Sequence, residues 1–67
     1  MSTDYRLVIG KRIAELREAK GLTQQTLADL AGIKRPNLAR IETGKYSTGI
    51  DIIAQIAEAL GCEIKIE

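Results

Sequence analysis

The stretch that decides the fold runs from residue 21 to residue 44 and reads GLTQQTLADLAGIKRPNLARIETG. Its apolar residues follow helical spacing in two short segments, which are joined by only three residues, Gly32-Ile33-Lys34. Thr23 suits the N-cap of the first segment, and Gly32 suits its end. Pro36 cannot lie inside a helix but fits its first turn. The stretch therefore predicts two helices, over about 23–31 and 35–43, that meet at a tight turn.

Four residues of this stretch follow the fixed spacing Gln-x3-Ala-x3-Gly-x5-Leu: Gln24, Ala28, Gly32 and Leu38. Two helices that cross through a short turn touch near that turn, so Ala28 has to be small and Gly32 has to supply backbone freedom. The apolar residues predicted to face inward are Leu27, Ala31, Ile33, Leu38 and Ile41. Any helical hairpin with a glycine turn is the plainer alternative, but it does not explain so many matches at fixed offsets.

A helix is also predicted before this stretch, over about 5–20. Its apolar residues at helical spacing are Tyr5, Ile9, Ile13 and Leu16. Gly10 inside this helix costs about 1 kcal/mol relative to alanine. Either another element packs closely against Gly10, or the first turn frays.

A fourth helix is predicted over about 49–60, opened by a capping box at Thr48-Gly49-Ile50-Asp51. Its apolar stripe consists of Ile50, Ile53, Ile56, Ala57 and Leu60. Residues 62–66 then alternate between apolar and charged side chains, which is typical of a β-strand. The prediction for residues 1–67 is thus one all-helical domain with a short C-terminal strand.

Length and composition limit the possible functions. The chain has 67 residues, of which 45% are hydrophobic, and this suffices for one small globular domain. It has no apolar run long enough to cross a bilayer and no signal-peptide pattern, and its single Cys62 fits a reducing cytoplasm. With no histidine and one cysteine, we expect no enzyme active site, no metal site and no cofactor.

The net charge of +1 conceals an uneven distribution along the chain. Residues 1–45 hold nine Lys and Arg against five acids, whereas residues 46–67 hold one lysine against four acids. The first part is therefore basic and the second acidic. This asymmetry suggests one side that faces a polyanion and another that faces elsewhere.

The residues from Gly21 to Ala28 and from Arg40 to Lys45 resemble the Cro and phage-repressor family of helix-turn-helix domains. The likeness extends back to Ile9-Gly10-Lys11-Arg12-Ile13 and forward to Ile53–Gly61, so that it covers about residues 8–61. The resemblance implies a compact λ repressor-like fold of four to five helices. It also implies binding of double-stranded DNA and the regulation of transcription.

The DNA-facing surface is predicted from the third helix. Because Leu38 and Ile41 point inward, Pro36, Arg40 and Thr43 lie on the opposite face. The N-terminal part of a recognition helix reaches base edges in the major groove. Arginine and lysine can pair with guanine, and asparagine can pair with adenine. The expected base readers are Lys34, Arg35, Asn37 and Arg40, for which a phosphate contact or simple solvation is the alternative.

Further roles are implied by the resemblance. Residues expected to contact DNA phosphates are Gln24, Thr43, Gly44, Lys45 and Tyr46. Arg17 and Glu42 are expected to form a structural salt bridge that joins the first helix to the end of the third, although both could instead be solvated.

A domain this small reads few base pairs, so a homodimer on a palindromic site is expected. The predicted dimer residues are Ile52, Ala59, Ile64 and Ile66, with the strand pairing to its copy; a frayed tail is the alternative. A repressor is favoured. An antitoxin that binds a toxin and represses its own operon, or a protein-interaction module that has lost DNA binding, are the alternatives.

Overall fold

Four helices form the regular structure of the computed structural model, which describes residues 4–45 and 49–61. Helix α1 spans Tyr5–Ala19, α2 spans Gln24–Ala31, α3 spans Arg35–Glu42 and α4 spans Ile50–Leu60. The predicted all-helical class is confirmed over these residues. Neither a strand nor a fifth helix occurs among them, and the strand predicted at 62–66 lies outside the described part of the chain.

Hydrogen bonds at the helix ends explain where the helices begin. The Asp4 carboxylate accepts from the Arg6 N–H at 3.0 Å, and the Thr23 hydroxyl accepts from the Thr26 N–H at 3.0 Å. Each bond satisfies a donor that has no partner inside the helix. The capping box predicted for α4 is not confirmed, because Gly49 is the N-cap and has no side chain to accept a bond. Thr48 lies outside the described residues.

The core lies where the four helices meet. Helix α2 packs against α4 and α3, and α1 packs against α3 and α4. The buried hydrophobic residues are Ile13, Leu27, Ala28, Ala31, Leu38, Ile41, Ile56 and Leu60. The inward-facing positions predicted around the turn are thus confirmed, with Ile33 half-buried against this cluster. Because one side of α3 is buried in this core, its opposite side is exposed to solvent.

Two residues predicted to belong to the apolar stripes are exposed instead. Tyr5 is 53% exposed and Ile50 is 78% exposed. Each is the first residue of its helix. Helical spacing identifies which face of a helix is apolar, but it does not say how far along that face a neighbouring helix reaches. The first residue of each of these helices therefore lies beyond the segment that the neighbouring helices cover.

Gly10 lies at the crossing of α1 and α3. It is buried, and a side chain added here would overlap the carbonyl oxygen of Ile41 and approach that of Glu42 to 3.0 Å. Of the two explanations for a glycine in this helix, close packing is therefore the correct one. The contact brings α1 directly against the last turn of α3.

Candidate nucleic-acid interface

Helix α3 presents polar side chains on the face opposite its buried residues. Leu38 and Ile41 are buried in the core. The four predicted base readers are all exposed: Lys34, Arg35, Asn37 and Arg40. They span about 9 Å along the helix axis, which is shorter than the width of a major groove, about 12 Å. One groove can therefore accommodate the whole set.

The cations at α3 differ from those of α1 in their partners. Among the residues that the structure describes, no ion pair is formed by Lys34, Arg35, Arg40 or Lys45. In contrast, every arginine of α1 has a carboxylate partner: Arg6 with Asp4 at 3.2 Å, Arg12 with Glu15 at 3.6 Å, and Arg17 with Glu42 at 2.8 Å. Lys11 and Lys20 of the α1 region are also exposed and form no ion pair among the described residues, but they are far apart in sequence. The densest group of unpaired cations is therefore at α3, where an anionic partner can approach.

The beginning of α3 adds to this positive charge. Its N-cap is Lys34, which makes no side-chain cap hydrogen bond, and the first turn contains Pro36 and no acid. The N-terminal end of a helix carries a partial positive charge. At α1 and α2 this charge is met by the oxygen atoms of Asp4 and Thr23. At α3 it is reinforced by a lysine, which favours an anion there.

The end of α3 holds three of the predicted phosphate contacts. Gly44 is buried, has a φ of +73° and donates its N–H to the Ile41 oxygen at 3.1 Å. The Thr43 hydroxyl bonds to two carbonyl oxygens of its own helix, at 3.1 Å each. Lys45 is exposed. Thr43 is thus the C-cap of α3, and Gly44 ends the helix through its left-handed conformation, immediately before the exposed Lys45. Tyr46 lies outside the described residues.

The other polar residues that the sequence singled out, Arg17, Glu42 and Gln24, form one hydrogen-bond network. Arg17 Nε donates to Glu42 Oε2 at 2.8 Å, and Arg17 Nη2 donates to Glu42 Oε1 at 3.2 Å. These side chains are only 13% and 5% exposed. Arg17 Nη1 also donates to the Leu22 carbonyl oxygen at 2.8 Å, and Gln24 Nε2 donates to Glu42 Oε1 at 2.9 Å. The hydrogen bond that Arg17 donates to Glu42 raises the pKa of Arg17 above its ordinary value.

Sequence reasoning paired Arg17 with Glu42 but missed two further contacts of the pair. From the sequence, Gln24 is expected only as a phosphate ligand, and nothing indicates a contact with the Leu22 carbonyl oxygen. Both contacts join parts of the chain that come together only through packing. One available signal was that a carboxylate among buried residues needs several donors, and the amide of Gln24 is a suitable one.

The predicted dimer residues are divided between described and undescribed parts of the chain. Ile52 and Ala59 are half-buried and pack against the core cluster of their own chain. Ile64 and Ile66 lie outside the described residues. Leu30, which sequence reasoning did not select, is 61% exposed and lines a shallow groove with Ala59 between α2 and α4.

Comparison with known proteins identifies the family. The model of the helix-turn-helix family matches residues 13–66, which is most of the chain. The chain belongs to this family. An uncharacterized helix-turn-helix transcriptional regulator of Methanothermobacter thermautotrophicus is 41% identical over 51 residues, covering 76% of this chain and 74% of the relative. The resemblance seen in the sequence is thereby confirmed.

Two further helix-turn-helix proteins extend the comparison. The immunity repressor protein of Bacillus phage phi105 is 34% identical over 58 residues, and the match covers 87% of this chain but only 40% of the repressor. The crystal structure of the restriction-modification controller protein C.AhdI from Aeromonas hydrophila superimposes with a TM-score of 0.86 and 38% identity. That match covers 91% of this chain and 92% of the controller.

These comparisons also settle the broad class. The family and the relatives named are transcriptional regulators and a controller protein, so the helix-turn-helix chain belongs with DNA-binding regulators and not with enzymes. Within residues 4–45 and 49–61, no helix has the length and apolar character needed to cross a bilayer. Over the same ranges, no group of three or more potential metal ligands comes together.

Proposed function

We propose that this protein is a sequence-specific repressor that binds double-stranded DNA as a homodimer, with α3 in the major groove. One observation carries the proposal: the outer face of α3 exposes four donor side chains that form no ion pair with any residue the structure describes, while its inner face is buried. Lys34, Arg35, Asn37 and Arg40 are the base readers. Lys45 and Gln24 contact phosphates on either side, and Tyr46 is assigned to the same contact by resemblance alone.

The first test is the selection of bound sites from a random pool of duplexes. We expect a pseudo-palindrome with half-sites about 34 Å apart, one turn of the double helix. Binding to random DNA should also weaken as salt is raised, because phosphate contacts release counterions. A failure to bind random DNA even at low salt would favour the alternative of a protein-interaction module.

Single alanine variants separate readers from phosphate contacts. Arg35→Ala or Arg40→Ala should remove about 1–3 kcal/mol of discrimination at particular base pairs of the selected site. Lys45→Ala should weaken all sites to a similar extent and reduce the slope of affinity against salt by about 1. Titrations of each variant against the selected site and its single-base variants measure both effects. A uniform loss in all three variants would contradict the assignment of readers.

The N-cap of α3 provides a test in which stability and DNA binding change in opposite directions. The Asn37 N–H already donates to the Lys34 carbonyl oxygen at 3.0 Å. Replacing Lys34 with serine adds a side-chain oxygen as a second acceptor for this N–H, as the Thr23 hydroxyl accepts from Thr26 in α2. We expect the free energy of unfolding to rise by about 1 kcal/mol and DNA affinity to fall. Lys34→Ala, which removes the charge without adding a cap, is the matched control. Urea unfolding and DNA titration of both variants give the result.

Dimerisation is proposed through the C-terminal part of the chain. The alternation of Ile64 and Ile66 with charged residues supports a strand that pairs with its copy, and Ile52 and Ala59 provide an adjacent helical surface. Deleting residues 62–67 should convert the dimer into a monomer, as measured by molecular mass in solution. A truncated chain that remains dimeric would exclude the strand as the contact.

A second candidate function is control of a restriction-modification operon. It is supported by the similarity to C.AhdI, which extends over nine-tenths of both chains. This candidate predicts that the selected site occurs upstream of genes for a methyltransferase and an endonuclease.

An autoregulating antitoxin would bind DNA through the same residues but would also bind a toxin. Copurification of this protein with the product of the neighbouring gene tests that alternative.

A further inference from the structure

The Gln24 side chain is held by a carboxylate that belongs to another helix. Gln24 is the first residue of α2 and is half-buried. Its Nε2 donates to Oε1 of Glu42, the last residue of α3, at 2.9 Å. A carboxylate oxygen only accepts hydrogen bonds, so the nitrogen end of the amide has to face Glu42. The orientation of the amide is thereby determined by the chemistry of its partner.

The carboxylate that holds Gln24 is itself held in place. Arg17 donates to both oxygens of Glu42, at 2.8 and 3.2 Å, and the Glu42 side chain is only 5% exposed. A free glutamate beside a DNA backbone would repel phosphate. Here the Arg17 guanidinium balances the negative charge of Glu42 and leaves the carboxylate as a rigid acceptor.

One N–H of Gln24 remains for another partner. An amide nitrogen carries two N–H donors in a fixed plane, and Glu42 occupies one of them. Because the side chain is only half-buried, the other donor can be reached from outside. Its orientation is fixed before any ligand arrives, so binding does not have to restrict a freely rotating side chain.

We propose that Glu42 is a positioning residue for DNA binding, which orients the Gln24 amide so that its second N–H donates to a backbone phosphate. The proposal rests on the proposed function, since it assumes that α3 lies in the major groove. It adds that Glu42 and Arg17 control DNA affinity through Gln24 without touching DNA. A glutamine without this support would present its amide in many orientations.

A double-mutant cycle on the full chain tests the coupling. Gln24→Ala should weaken binding to every duplex about tenfold, since it removes one hydrogen bond to a charged group. Glu42→Gln should also weaken binding, and Gln24→Ala combined with Glu42→Gln should bind no more weakly than Gln24→Ala alone. Losses that multiply in the double variant would show that Glu42 acts independently of Gln24 and would overturn the proposal.

The neighbouring glutamine provides a matched control. Gln25 is exposed, and its Nε2 also donates to a carboxylate, Asp29 Oδ1, at 2.9 Å. We expect Gln25→Ala to bind DNA as the unchanged protein does. Equal losses for Gln24→Ala and Gln25→Ala would mean that any substitution at the start of α2 weakens binding, and would contradict a specific role for Gln24.

If Glu42→Gln does not fold, an NMR titration of the unchanged protein still tests the proposal. The two side-chain N–H protons of Gln24 give separate NMR signals. On titration with a duplex of random sequence, one signal should shift strongly while the proton bonded to Glu42 shifts little. If neither signal shifts at saturation, the proposal is wrong although DNA binding stands. If the unchanged protein binds no duplex at all, it is the proposed function that fails.

Discussion

Replacing Arg17 with methionine is expected to lower the free energy of unfolding by about 3–5 kcal/mol, because the Glu42 carboxylate, whose side chain is only 5% exposed, would lose its charge partner. Arg17 donates to both oxygens of Glu42 and also to the Leu22 carbonyl, so the variant loses three hydrogen bonds in a poorly hydrated place. A domain of this length has a total stability of about 3–10 kcal/mol. Much of the variant should therefore be unfolded at moderate temperature, as urea or thermal unfolding would show.

The pair between Arg12 and Glu15 is the matched control. Its two side chains are more than half exposed, and the charged atoms are 3.6 Å apart. Solvent and salt screen such a pair, so Glu15→Ala should change stability by less than about 1 kcal/mol. If Arg17→Met were as mild as Glu15→Ala, Arg17 and Glu42 would behave as solvated charges, which is the alternative that the sequence left open.

Replacing Gly10 with alanine is expected to destabilise the fold, although alanine is the better helix former. The change in helix propensity favours the variant by about 1 kcal/mol. Against this, the new methyl group would overlap the Ile41 carbonyl oxygen. Overpacking costs about 1–3 kcal/mol, occasionally more, and a backbone atom cannot move aside as a flexible side chain can. The steric effect should prevail, and the midpoint of thermal unfolding should fall.

Gly49→Ala controls for the effect of the added methyl group, because a Cβ atom at this position would meet no atom of the described residues within 4 Å. We expect it to cost no more than about 1 kcal/mol, the difference between glycine and alanine at an N-cap. DNA binding gives a second measure of Gly10→Ala, since separating α1 from α3 would also tilt α3, the helix proposed to enter the major groove. An unchanged or higher stability for Gly10→Ala would mean that α1 and α3 do not cross as closely as described.

Much of the fold could be predicted from local patterns. Pro36 marks the start of α3, Thr23 caps α2, and Gly32 has the left-handed conformation that the turn requires. The inward-facing positions Leu27 and Leu38 follow from helical spacing. The errors at Tyr5 and Ile50 have one common cause, since periodicity defines a face but not the extent to which a neighbouring helix covers it.

In the candidate site, too, some features follow from local patterns and others depend on how the helices pack. The exposed side chains of α3 follow from the positions of its buried residues, because about 100° of rotation per residue fixes which side chains lie opposite. The hydrogen bonds that Thr43 and Gly44 form at the end of α3 could not be predicted in this way. These bonds depend on how the last turn of the helix ends, and on Leu7, which lies against Gly44.

The sequence by itself determined the four helices, the tight turn and the polar side of α3, since caps, proline and periodicity act over a few neighbouring residues. Only the tertiary structure decided that Glu42 bonds to Arg17, 25 residues away, and to Gln24, 18 residues away. It alone decided that Gly10 touches the Ile41 carbonyl. Such contacts depend on the angle and offset at which packed helices cross, and these are properties of the assembled core and not of any local pattern.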